Sequence, residues 1–175
     1  MQEEANVKRI LAGMKAKRVG DLNEDIISAS CDAYRAEGIA DIEKTPEPMK
    51  PIKSLGQGKY LAVFEKKAQA DYKGVLHDGQ CIIFEAKHTA TDQIKESAVT
   101  DAQREMMERY YSMNAICFVL VSFDDWSFYK VPWIVWRDMK NVFGHKHIKQ
   151  TEMHEKWRVR FTGNRLYFLE EYHVK

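Results

Sequence analysis

Ala70-Asp71-Tyr72-Lys73-Gly74 and, after the turn-forming Asp78-Gly79, Ile82-Ile83-Phe84-Glu85-Ala86-Lys87 read as one β-hairpin carrying Asp and then Glu-x-Lys. Strand pairing can bring two carboxylates together around a divalent cation. A lysine two residues beyond the second carboxylate lies on the same face of its strand. That is the outline of a metal-dependent phosphodiester-hydrolysing site. The turn sets a condition: a two-residue Asp-Gly turn would place Asp71 opposite Ala86, with its side chain away from Glu85. A three-residue loop, His77-Asp78-Gly79, with Gly79 left-handed in a G1 bulge, places Asp71 opposite Glu85, and this is the hairpin expected. An ordinary hairpin with charges on a solvated face has the same spacing, so the rest of the chain must discriminate.

At 175 residues and 45% hydrophobic content the chain can bury one substantial core, and a single domain over 1–175 is expected. No apolar run approaches the ~20 residues of a membrane span. The beginning, Met1-Gln2-Glu3-Glu4, is acidic where a signal peptide would be basic, so no membrane association and a cytoplasmic location are expected. The odd number of cysteines, Cys31, Cys81 and Cys117, each among apolar neighbours, points to reduced thiols rather than disulfides or zinc. A net charge of +1 makes no general case for nucleic acid. Its distribution does more: Lys44, Lys50, Lys53, Lys59, Lys66, Lys67 and Lys73 face only Glu47, Glu65 and Asp71 within one stretch, just before the hairpin.

Residues 3–18 carry Val7, Ile10, Leu11 and Met14 at helical spacing, suggesting a short docking or dimer-contact helix. Gly20-Asp21 is expected to break it. A second helix then runs to about Glu37, stops at Gly38 and buries Ile27, Cys31 and Tyr34. Glu24 stands at the start of that inward stripe, as a functional group or as a first-turn charge favoured by the helix dipole. After a strand at Ile39–Glu43, Pro46, Pro48 and Pro51 alternate with lysines and describe a stiff extended arm over 44–67. Thr100 or Asp101 caps a helix to about Ser112, with Gln103, Met106, Met107 and Tyr110 on one face. Ala115–Val121 is a continuous apolar run, as in a strand covered on both sides, and so the expected sheet centre. A strand at Trp126–Val131, a helix from Pro132 to about Asn141 and a closing hairpin around Gly163-Asn164 follow. The class is α/β: a mixed central sheet flanked by helices.

Asp71, Glu85-Ala86-Lys87, a helix and a buried strand, in that order, are similar to the PD-(D/E)xK nuclease core. Further blocks narrow the match: Gly20-x-Leu22-x-Glu24-x-x-Ile27, Gly38-Ile39-Ala40-x-Ile42-x-Lys44-x-Pro46-x-Pro48, Asp71-Tyr72-x-Gly74, Gln103 and Ile116-Cys117-Phe118-Val119. Together, over about 18–150, they resemble the RecU-type Holliday junction resolvases of bacteria and phages. The resemblance implies a restriction-endonuclease-like core and a homodimer that nicks opposed strands of four-way junction DNA with Mg²⁺, Mn²⁺ substituting. It implies Asp71 and Glu85 as metal ligands with Glu24 assisting, Lys87 on the attacking water and phosphate, and Gln103 as an auxiliary polar group. The arm matches the family's stalk, making Lys44, Lys50, Lys53, Lys66, Lys67 and Lys73 candidate DNA contacts. The chain departs from the pattern in its short arm, in Asn23 where an apolar residue usually precedes the glutamate, in Gln69-Ala70 and in Ala102. These departures bear more on junction specificity than on hydrolysis. Another nuclease of the superfamily acting on duplex DNA, and a catalytically silent junction-binding protein, are the alternatives.

Two other groupings read as structural. His145, His147 and His154 with Glu155 suit solvent or phosphate contacts better than a transition metal. Trp126, Phe128, Tyr129, Trp133 and Trp136 have the spacing of core and dimer interface rather than of a base-stacking platform.

Overall fold

The structure, a computed structural model, describes residues 2–64 and 69–172, without the side chains of 2–17. Helix α1 runs unbroken from Gln2 to Ala36. The break expected at Gly20-Asp21 is absent, because one glycine costs a helix only about 1 kcal/mol and removes no hydrogen bond. The apolar spacing before residue 18 falls on side chains outside the described set. The helix ends as expected at Gly38: the Ile39 amide donates to Tyr34 O (3.0 Å) and the Gly38 amide to Arg35 O (3.1 Å). Ile27, Cys31 and Tyr34 form its buried stripe. Tyr34 Oη donates to Leu166 O and accepts from the Leu169 amide, both at 3.1 Å, which bolts α1 to the C-terminal segment.

Strands β1 (Ala40–Lys44), β4 (Tyr72–Leu76), β5 (Cys81–Thr89), β7 (Ile116–Phe123), β8 (Phe128–Pro132) and β10 (Arg158–Val159) form a six-stranded sheet in the order β1-β4-β5-β7-β8-β10. Only β5 and β7 pair in parallel, so the sheet is mixed and the apolar 115–121 run lies near its middle, as expected. Helix α2 (Asp101–Ser112) begins at a capping box, Thr100 exchanging bonds with Gln103. Two short helices, α3 (Trp133–Arg137) and α4 (Met139–Phe143), replace the single helix expected after Pro132; the chain leaves helical geometry at Asp138, φ −110° and ψ 25°.

Alternation along β5 builds three layers. Ile82 and Phe84 join Ile27, Tyr34, Tyr72 and Phe118 under α1, while Ile83 joins Met106, Met107, Val119, Trp133 and Trp136 under α2 and α3. Four of the five aromatics between 126 and 136 are core residues; Trp126 is 41% exposed. The polar stretch 89–97 hides a small sheet, β6 (Gln93–Lys95) against β9 (His147–Lys149), in which Ile94 and Ile148 pair and are buried. The closing hairpin is only β11 (Phe161–Thr162) with β12 (Arg165–Leu166).

The β4–β5 hairpin has the register of the three-residue loop: Tyr72 faces Phe84 and Val75 faces Cys81. The Gly79 amide donates to Leu76 O, the Leu76 amide to Gln80 O, and Gly79 has φ +86°. Gly74 is required for a different reason. A Cβ there would lie 2.1 Å from Asp41 O of the paired strand. The arm is itself a hairpin, β2 (Met49–Gly56) with β3 (Lys59–Phe64), exposed along its whole length. Pro51 is tolerated because a two-stranded ribbon has two edges, and the register slips between Pro51 and Lys53.

Candidate active site

The β4–β5 ladder ends at Tyr72–Phe84, and Asp71 stands one residue beyond it. There its Oδ2 accepts from the Ala86 amide at 2.9 Å, so a backbone donor fixes the carboxylate. Glu85 and Lys87 share the α2 side of β5. Glu85 Oε2 accepts from Lys87 Nζ at 2.9 Å, and the same ammonium lies 3.6 Å from Asp71 Oδ2. Gln103 completes the group, its Nε2 donating to Glu85 Oε2 at 2.7 Å. The helix cap sets the orientation of that amide: Gln103 Oε1 accepts from the Thr100 amide and hydroxyl at 3.1 and 3.0 Å, leaving only the nitrogen end for Glu85.

Glu85 is fully buried, and its second oxygen, Oε1, has no hydrogen-bond partner. Burial, then the neighbouring Asp71 carboxylate, push its pKa up to about 8, against the pull of Lys87. Burial alone would lower the Lys87 pKa, but Asp71 and Glu85 outweigh it and hold the ammonium above its usual range. The single Lys87 ammonium serves both carboxylates, so with Asp71 and Glu85 ionised the group is one positive charge short, and a buried Glu85 oxygen has no partner to offset it. A hard divalent cation would supply that charge. The donor set is oxygen only, and Mg²⁺ typically takes one or two carboxylates and keeps its remaining positions for water and phosphate. Asp71 and Glu85 fit that requirement.

Of the other candidates, Glu24 lines a cavity with Asp71 and Lys87, but its carboxylate is paired with Lys44. Among the described residues, no three His, Cys, Asp or Glu side chains converge as a metal set. Asp71, Glu85, Lys87 and Gln103 are thus brought together, and Glu24 stands beside them. Lys50 and Lys53 lie on β2, Lys73 on β4 across from Glu43, and Lys66 and Lys67 lie outside the described residues. His145 stacks on His147 with ring centres 3.9 Å apart and bonds to Glu152, a structural arrangement. Cys31, Cys81 and Cys117 are free. No helix among the described residues is long and apolar enough to cross a membrane.

A cavity of about 590 Å³ opens over Asp71 and Gln103 between the foot of the arm and the start of α2. Thr45 lines it, a residue that no sequence pattern singles out. Its amide holds Asp71 O at 2.8 Å, while its buried hydroxyl has no partner. No spacing rule marks such a residue, because its role comes from where β1 ends beside Asp71.

The family model described as recombination protein U (RecU) matches residues 18–171. Among curated proteins, the Holliday junction resolvase RecU of Streptococcus oralis is 34% identical over 106 residues, covering 57% of this chain and 53% of that protein. A Holliday junction resolvase RecU of Streptococcus pneumoniae is 33% identical with the same coverage. The aligned part of the chain spans about half the length of these curated relatives.

Proposed function

Because the chain belongs to the recombination protein U (RecU) family, we propose that it is a metal-dependent endonuclease that resolves four-way DNA junctions as a homodimer, with paired nicks in opposed strands. The observation that carries the reading is the Asp71–Lys87–Glu85 group with the unpartnered Glu85 Oε1. Asp71 and Glu85 would hold Mg²⁺, with Mn²⁺ as a substitute, and Glu24 would assist from α1. When bound, the ion polarises the phosphoryl oxygen and lowers the pKa of the attacking water.

The remaining steps belong to the protein. Once the carboxylates are otherwise neutralised, Lys87 is free to turn its charge to the scissile phosphate and the water beside it. Gln103, locked by Thr100, holds Glu85 in one orientation, so the ligand need not reorganise during turnover. Lys44, Lys50, Lys53, Lys66, Lys67 and Lys73 supply phosphate contacts around and along the arm, and a second protomer presents the second site to the opposite strand. Binding through these lysines is separable from hydrolysis.

The test is cleavage of an end-labelled four-way junction beside a linear duplex of the same sequence, in Mg²⁺ and in EDTA, with Glu85→Ala as control. Symmetric nicks confined to the junction, absent in EDTA and in the variant, are expected. Equal cutting of the duplex would replace the proposal with a general nuclease. Tight junction binding without cleavage in either metal would replace it with a binding protein.

A further inference from the structure

On the α1 face of the sheet, behind the acidic group, Asn23 is 7% exposed and neither its Oδ1 nor its Nδ2 has a partner. It lies in the wall of two adjoining cavities, of about 120 and 150 Å³, and His88 lies in the wall of both. The first also meets Asp71 and Lys87, so it opens beside the catalytic group. The second reaches Trp126, whose indole is part exposed. His88 is fixed between them, one ring nitrogen 3.1 Å from Ser122 Oγ and the other 3.1 Å from Asp124 Oδ1.

The chemistry of the vacant amide narrows its partner. A phosphate would satisfy only the Nδ2 donor, and a cation only the Oδ1 acceptor. A group offering one donor and one acceptor on neighbouring atoms satisfies both, and the edge of a nucleobase does so; asparagine pairs in this way with adenine. Each cavity has several times the ~30 Å³ share of one water molecule. Aromatic and apolar walls, Phe128 and Ile27 in one and Phe123 and Trp126 in the other, suit a flat ring.

We propose that this cleft receives one nucleobase turned out of the stack beside the scissile phosphate, that Asn23 reads its edge, and that the cleft sets the sequence preference of cleavage. The proposal rests on the nuclease reading above. Unstacking costs a few kcal/mol and least where a base has already lost its partner.

The experiment has two arms. In the first, cleavage rates are measured for junctions that carry each of the four bases at the positions flanking the cut, for the wild type and for Asn23→Leu. The wild type should prefer one base by about 5- to 150-fold, the discrimination of one bidentate amide–base pair, and the variant should cut all four at similar rates. In the second, which needs no variant, 2-aminopurine replaces each flanking base in turn and its fluorescence is read on binding in Ca²⁺. One position should brighten as its base leaves the stack. An unchanged cleavage profile in Asn23→Leu, or no brightening at any position, would overturn the proposal and leave a cleft holding only water. If the wild type cuts no junction at all, the function fails, and the fluorescence alone decides whether the cleft takes a base.

Discussion

Replacing Glu85 with Gln should stabilise the metal-free protein at alkaline pH and leave it unchanged in acid. The Glu85 carboxyl is fully buried, and its pKa is raised from 4.5 to about 8, chiefly by burial and then by Asp71. The sign follows from linkage: a proton held more tightly in the folded state stabilises the fold below the unfolded pKa. That contribution is lost as pH rises from about 4.5 through about 8. A shift of this size sets a ceiling of about 5 kcal/mol at ~1.4 kcal/mol per unit. Relaxation of Lys87 and water entry reduce it, so about 2–3 kcal/mol is expected at pH 8.5. In a domain of this length that is roughly 5–10 °C in Tm. Gln keeps an oxygen to accept from Lys87 and Gln103, so the comparison isolates the charge. Thermal melts of both proteins in EDTA from pH 5 to 9 should diverge as pH rises towards 8 and run level above it, and added Mg²⁺ should reverse the order by stabilising only the wild type. Parallel melting curves, or a variant weaker at pH 8.5 than at pH 5.5, would refute the reasoning and make the Lys87 ion pair the dominant contribution.

Metal binding should release a proton from Glu85, so apparent Mg²⁺ affinity, read by calorimetry in buffers of different ionisation enthalpy, should rise up to about tenfold per pH unit below 8 and level off above it. Gln103→Ala removes both the helix cap partner and the Glu85 anchor; it should cost about 1 kcal/mol in denaturant unfolding and lower kcat far more than junction affinity. Gly74→Ala drives a methyl into Asp41 O and should destabilise the fold by about 1–3 kcal/mol, with Val75→Ala on the same strand as a mild control. Lys50→Ala with Lys53→Ala should weaken binding of all DNA forms and reduce the salt dependence of log K by roughly 0.9 for each phosphate no longer neutralised, read from binding titrations at several salt concentrations.

Local rules made much of this fold legible. The hairpin register followed from the choice between a two- and a three-residue loop, and that one-residue difference decides whether Asp71 meets Glu85. The cap candidates Thr100 and Asp101 placed the start of α2, and the apolar run at 115–121 placed the sheet centre. What escaped was decided at a distance. Helix α1 continues through Gly20 because a glycine weakens a helix without stopping it. Ile94 sits in a polar stretch and is buried only because Ile148, far along the chain, comes to face it. The Lys44 partner of Glu24 and the bare hydroxyl of Thr45 likewise depend on where β1 ends against α1 and β4.

The capping box ties these levels together. In most helices the Gln at the third position only satisfies backbone groups of the first turn. Here the box uses the oxygen end of Gln103, and the nitrogen end then has one place to go, Glu85 on the neighbouring strand. The same hydrogen bonds that start α2 therefore act with Lys87 on one carboxylate oxygen, Oε2, and leave the other, Oε1, without a protein donor. Local helix chemistry helps set which oxygen of Glu85 stays free of protein donors. Exchanging Thr100 for Ala should thus lower kcat although Thr100 itself makes no bond to either carboxylate, whereas Thr100→Ser should keep it near wild type. Equal activity in Thr100→Ala and wild type, measured on the same labelled junction, would separate the cap from the chemistry and sink this link between them.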